Sequence, residues 1–111
     1  MAVFNMQTII IMADFGDYCF WEYIDHPQYK TGAAISLDSL PLSTETVEQL
    51  ELWIEYFEKY FNEKTLKFDS EVETINFDLV GKALWEQVQV ELKKQYQVNY
   101  YSELAEQYVM A

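Results

Sequence analysis

Gln7-Thr8-Ile9-Ile10-Ile11-Met12-Ala13 is a run of β-branched and apolar residues closed by Asp14-Phe15-Gly16-Asp17. It lacks the polar alternation of a strand with one wet face, so it predicts a buried, central strand. Gly16 between two aspartates marks the turn that ends it. Working outward, residues 18–24 are aromatic and aliphatic around Glu22 and fit a second strand or an extended loop. Residues 25–42 contain His26-Pro27, Gly32 and Pro41 and read as loop, with one short strand near residues 34–37. On the other side of the run, residues 1–5 read as a short leader, either a ragged start or an added remnant.

The next segment is helical by every local criterion. Ser43 follows Pro41-Leu42 as an N-cap, and Glu45 lies at the positive end of the helix dipole. Val47, Leu50, Ile54, Phe57 and Phe61 follow 3-4 spacing and give one apolar face, predicting a helix over about 43–62. Glu48, Glu51, Glu55 and Glu58 repeat at the same spacing on nearly the opposite face, with Leu52 and Tyr56 at its edge. Residues 62–70 are polar and read as a connection, with Asp69 or Ser70 as the next cap. A second helix is predicted over about 71–96, its core stripe being Phe77, Val80, Leu84, Val88 and Leu92. Gly81 inside it costs roughly 1 kcal/mol relative to alanine and predicts a bend or a close helix contact. Gln-Val-Asn-Tyr-Tyr at 97–101 has the composition of a final strand, and the tail from Ser102 reads as a terminal helical turn.

Strand, irregular acidic segment, helix, helix, strand predicts one α+β domain over residues 1–111. Its small sheet includes the N- and C-terminal strands, and the two amphipathic helices cover it. If the terminal strands are neighbours, the helices between them form a long crossover and the pair runs parallel.

Half of the chain is hydrophobic and 17% aromatic, too apolar for a disordered acidic tail. The charge is therefore displayed on a folded body. It is lopsided: the first 58 residues hold ten carboxylates and one base, Lys30, the rest hold nine carboxylates and six lysines, and arginine is absent. The net charge of −12 makes a field that speeds encounter with a cationic partner and repels nucleic acid and anionic lipid. Cys19 is the sole cysteine, so no intrachain disulfide forms, in keeping with a reducing compartment. No signal-peptide pattern and no apolar run of about 18 residues is present, and a cytoplasmic location is expected.

Catalytic chemistry finds little support in the residues. His26, the single histidine, precedes a proline in a loop, and Cys19 sits in an aromatic strand-like segment as a small hydrophobe. A Cys19–His26 dyad would lack any signature, and the three glycines share no phosphate-binding motif. The cluster Asp14, Asp17, Glu22 and Asp25 invites a metal, but its spacing matches no calcium loop, and solvated turn carboxylates account for it more simply. Neither a cofactor, a metal nor an enzymatic activity is expected. The acid stripe of the first helix has a plain reading too, as a solvated face that favours helicity and solubility. Against that reading, Glu48 to Glu58 meets no base before Lys59, and like charges at this spacing cost a few tenths of a kcal/mol per pair. Trp21, Tyr23 and Tyr56 lie beside acids in sequence or on the helical wheel, and aromatic anchors ringed by charge are the make-up of a protein-binding surface. The candidate partner-binding residues are Asp14, Asp17, Trp21, Glu22, Tyr23, Asp25, Glu48, Glu51, Glu55, Tyr56 and Glu58.

Three short motifs carry a resemblance. They are the strand ending in Ala13-Asp14-Phe15-Gly16, the tryptophan segment around Trp21, and the cap Leu40-Pro41-Leu42-Ser43 leading into an acidic helix with Trp53. Over residues 7–62 the chain resembles small bacterial immunity proteins of contact-dependent growth inhibition and other polymorphic toxin systems. It departs from them in its more aromatic 18–24 segment and in lacking arginine, so no functional residue is transferred. The resemblance implies an immunity protein, an antitoxin that blocks a basic toxin domain such as a nuclease by stoichiometric protein–protein interaction. A nuclease must present cations to a phosphate backbone, and a partner offering carboxylates in the same places competes as a polyanion. Two alternatives remain open: a nucleic-acid mimic that inhibits a DNA- or RNA-binding complex, and a small carboxylate or metal-dependent enzyme.

Overall fold

A computed structural model describes residues 6–111; the leader read at residues 1–5 lies outside them. The elements run β1 (Gln7–Ile11), β2 (Phe20–Tyr23), β3 (Thr31–Ile35), a 3-10 turn (Leu37–Ser39), α1 (Thr44–Tyr60), β4 (Phe61–Asn62), β5 (Lys67–Phe68), α2 (Glu71–Leu92), β6 (Tyr96–Ser102) and β7 (Gln107–Val109). Five strands form one sheet in the order β3-β2-β1-β6-β7, so β1 is central. It pairs antiparallel with β2 and parallel with β6, Ile9 facing Val98 and Ile11 facing Tyr100. β1 and β6, the strand read at 97–101, are thus neighbours joined across the helical hairpin, and they run parallel as expected for such a pair; β7 follows at the edge.

Alternation along β1 separates two faces. Ile9 and Ile11 enter the core with Phe20, Leu50, Trp53, Ile54, Phe57, Phe77, Leu84, Val88, Leu92, Val98 and Tyr100. No helix of the described residues covers the other face; Ile10 there, flanked in register by Trp21 and Asn99, is still fully buried. The side chain of Asn99 is occupied by the C-terminal residues, donating to Met110 Sδ and accepting from the Ala111 N–H.

Each helix starts on its expected cap. Ser43 Oγ accepts from the Thr46 N–H and Ser70 Oγ from the Glu73 N–H, both at 3.2 Å. Glu91, near the end of α2, accepts from the Ser43 N–H at 2.6 Å and from the Thr46 hydroxyl, which pins the start of α1 to the end of α2. Burial pushes the Glu91 carboxyl up, yet these hydrogen bonds and one from Gln87 outweigh it and hold it below its ordinary value.

Several boundaries depart from the sequence reading. α2 stops at Leu92 rather than 96, because Lys93, Lys94 and Gln95 turn the chain back, the Gln95 N–H donating to the Leu92 carbonyl at 2.9 Å. The polar connection at 62–70 contains a two-stranded ribbon, β4 against β5, whose Phe68 reaches the core. The third strand falls at Thr31–Ile35, earlier than the predicted 34–37, and the tail after Ser102 forms β7 rather than a helical turn. Val80 is half exposed and leaves the core stripe, where Gly81 takes its place. A Cβ on Gly81 would collide with Tyr100 Oη and come within 2.8 Å of Trp53 Cζ2, so the missing side chain lets α1, α2 and β6 meet. Just beyond, the buried Asp78 carboxylate accepts from Tyr100 Oη and Ser102 Oγ, both at 2.9 Å, and pairs with Lys82 at 3.3 Å.

Candidate functional site

The loop from Asp14 to Tyr18 follows the carboxyl end of β1 and is drawn onto the end of α1. Phe15 anchors it, its ring centroid 5.1 Å from Phe57 and 6.2 Å from Phe61. The Asp14 carboxylate accepts from the Phe15 N–H at 2.8 Å. Gly16 and Asp17 then adopt φ of 99° and 68°, a left-handed pair that glycine and aspartate tolerate better than other residues. This reversal sets Asp17 against the acidic flank of α1. A slight desolvation, a hydrogen bond to the Asp17 carboxyl, and repulsion from Asp17 and Glu55 push the Glu58 carboxyl above its ordinary value.

One helical turn earlier lies a groove of about 370 Å³ between this loop, α1 and the 3-10 turn. It is lined by Asp17, Tyr18, Ser36, Leu37, Asp38, Glu51, Ile54 and Glu55. Four of those side chains are carboxylates and none is a base. The 3-10 turn is fixed by Ser36, whose Oγ accepts from the Asp38 N–H, so Asp38 is held at the groove edge rather than on a loose loop. Glu58 and Asp17 continue the same negative surface past the groove.

The sequence-predicted residues therefore divide. Asp17, Glu51, Glu55 and Glu58 come together. Glu48 is exposed on the same side of α1, one turn nearer its start, outside the groove lining. Asp14 lies close enough to Glu103 to raise its pKa. Trp21 is half-buried on the uncovered sheet face, its Nε1–H donating to the Met12 carbonyl at 2.8 Å, with the Tyr18 ring 6.4 Å away. Glu22 is exposed on β2 beside Gly32, Tyr23 ends that strand, and Asp25 pairs with Lys30 at 3.2 Å in the β2–β3 connection. Tyr56 does not project beside the acids. It turns toward α2, 4.6 Å from Tyr60 and 6.2 Å from Phe77 between ring centroids, because the 3.6-residue period puts it between the core stripe and Leu52. Asp38 and Tyr18 were missed. The Ser36-Leu37-Asp38-Ser39 pattern carries the signal of a capped turn, but nothing in it says which helix flank that turn would meet.

A second group of acids surrounds the carboxyl end of β6. Burial, then repulsion from Glu106, Asp78 and Asp14, pushes the Glu103 carboxyl up to about 7. Among the described residues, no three His, Cys, Asp or Glu side chains are placed to share a metal ion. Cys19 is in the core, where burial pushes its thiol up to about 12. His26 stacks on Tyr29 at 4.1 Å, its Nδ1 accepting from the Gln28 N–H. No helix of the described residues is long and apolar enough to cross a membrane.

Fold and groove together define the class: a two-layer α+β protein in which one flank of α1 and the adjoining loop display carboxylates. The chain belongs to the family described as Serratia CdiI immunity protein-like, whose profile matches residues 7–103. That match runs beyond the motifs of residues 7–62, through α2 and all of β6. No match is found among curated proteins.

Proposed function

We propose that this chain is a non-enzymatic immunity protein that binds a cognate toxin domain in the cytoplasm and blocks it with its acidic surface. The toxin domain is basic, as a nuclease must be where it grips phosphates. The observation that carries this reading is the meeting of Asp17, Asp38, Glu51 and Glu55 around one groove, with Glu58 beside it. Carboxylates held together repel one another, and Glu58 registers that repulsion; a cationic partner would relieve it. Because these acids lie along a groove rather than around a point, they suit an extended row of lysine and arginine better than a metal ion. Tyr18, Leu37 and Ile54 supply apolar wall for the stems of such side chains.

The test uses the toxin domain captured on this chain by affinity from its native host. Stopped-flow association is measured with the wild type and with Glu51→Lys/Glu55→Lys across a range of salt. The double variant should associate more slowly and show a flatter salt dependence. Association rates and salt slopes equal to the wild type would remove the groove from the interface.

A further inference from the structure

α2 carries apolar side chains on two opposite sides. Its inward side holds Phe77, Gly81, Leu84, Val88 and Leu92 against α1 and the sheet. Its outward side presents Val72, Leu79, Ala83 and Val90 along one line, flanked by Ile75 and Val80; Val72 is 66%, Leu79 64% and Val90 63% exposed. This outward line is a stripe of helical period that nothing in the described chain covers.

The stripe is close to symmetric about Gly81. Val72 and Val90 lie nine residues to either side of it, and Leu79 and Ala83 two residues to either side. In an antiparallel pair related by a two-fold axis at that level, Val72 meets the second copy's Val90, and Leu79, a large side chain, meets the second copy's Ala83, a small one. Asn76 comes level with the second copy's Glu86, to whose carboxylate its amide can donate. Such a surface is complementary to itself, which a surface for an unrelated partner has no reason to be.

Charge selects the same occupant. In a chain of net charge −12, two copies repel wherever their acidic surfaces meet. The outward side of α2 carries Lys82 and Glu86 at its margins, of opposite sign, and no charge along its line. It is a face on which two copies can approach without apposing rows of carboxylates, and it offers a cationic toxin no cluster of acids. Its neighbour on α1 adds Leu52, also 64% exposed, at the rim of an apolar groove lined by Trp53, Tyr56, Phe77, Val80 and Leu84. The stripe with Leu52, Asn76 and Gln87 is confined to one helix face and its rim, less than the roughly 800 Å² per partner of a standard interface, which makes the pairing weak.

We propose that the outward face of α2 is a homodimer interface in which two copies pack α2 against α2, antiparallel, about a two-fold axis level with Gly81. The acidic groove lies on the far flank of α1 and remains free in each copy. The dimer dissociates at micromolar concentrations, as suits an interface of this size.

Sedimentation velocity of the wild-type chain between about 5 and 500 µM tests this, the range in which so small an interface should come apart. The sedimenting mass should rise from monomer to dimer, and added salt should favour the dimer by screening repulsion between the acidic bodies. Salt should weaken the toxin complex, so failure of one reading is not failure of the other. Leu79→Lys, at an exposed site checked for unchanged circular dichroism, should raise the dimer dissociation constant at least about tenfold. Leu79→Cys/Ala83→Cys should cross-link position 79 of one copy to position 83 of the other under mild oxidation. A wild type monomeric throughout this range overturns the proposal. So does a monomer whose α2 face binds a hydrophobic dye, or one whose toxin complex is weakened by Leu79→Lys, since that outcome assigns the face to the toxin.

Discussion

On one flank of α1, Glu51 and Glu55 look across a groove at Asp17 and Asp38, with Glu58 just beyond it; on the other, Gln49, Leu52 and Tyr56 look across a second groove at Asn76 and Val80 of α2. Both grooves are open and of similar size, and the same backbone supports them. They differ in what solvent does for them. The acidic groove gains nothing by being dry, since its carboxylates keep their hydration and act at a distance through their field. The apolar groove acts only in contact, by losing water. Placing both on one helix lets a 17-residue segment hold two surfaces that do not compete. The comparison predicts that changes on one flank move association rates and changes behind the other move stability.

The largest effect is expected behind the apolar flank. Gly81→Ala gains up to about 1 kcal/mol of helix propensity but overpacks Tyr100 and Trp53, for a net loss of about 2 kcal/mol in urea unfolding. Its toxin association rate, measured on folded protein, should match the wild type. On the acidic flank the reverse holds: Glu51→Lys/Glu55→Lys should slow association about tenfold at low salt. Its unfolding free energy should stay within roughly 0.5 kcal/mol of wild type, as for exposed surface sites generally. A stability loss as large as that of Gly81→Ala would mean the acid flank is structural and would end the distinction.

A third prediction concerns pH. Glu103 has a folded-state pKa raised to about 7, so its contribution to stability is present below its unfolded value near 4.5 and is lost as pH rises through 7. Glu91 is depressed, so its contribution is present above its unfolded value and lost as pH falls. Stability should therefore be greatest near pH 5 and decline toward neutrality by on the order of 1–2 kcal/mol, after allowing for the water that still reaches Glu103. Glu103→Gln should flatten that decline in thermal melts from pH 5 to 8; an unchanged slope would place its cause elsewhere. The smallest effect is Glu58→Gln. Removing a charge that Asp17 and Glu55 repel should raise Tm slightly near neutral pH while slightly slowing toxin association. A fall in Tm would show that the Asp17–Glu58 contact stabilises the loop.

Elements whose apolar residues follow one unambiguous pattern were legible in the sequence. β1 is buried on both faces and reads as an unbroken apolar run, and α1 has one apolar stripe with its Ser43 cap. α2 was harder because apolar residues on two sides blur the wheel: Val80 fits a 3-4 stripe as well as Gly81 does, and only the approach of Tyr100 decides between them. β7 was missed because the turn of Glu103–Glu106 and the short Gln107–Val109 strand carry no strong local signal; pairing with β6 makes the strand. For the site, the helical period correctly grouped Glu51, Glu55 and Glu58. It could not reveal that Phe15 would carry Asp17 to them, that Asp38 would close the groove, or that Tyr56 would turn the other way. Those depend on contacts between segments distant in sequence.

The parallel pairing of β1 with β6 has a consequence for how this protein is made. More than eighty residues separate the two strands, so the ribosome releases the most apolar strand long before its parallel neighbour exists. Until then β1 can lean only on the β2–β3 hairpin, with its other edge open to any passing strand. Closing so long a loop late makes folding slow for a small domain. A cell that relies on this chain for protection would therefore have to keep a folded reserve of it, since freshly translated copies would arrive late.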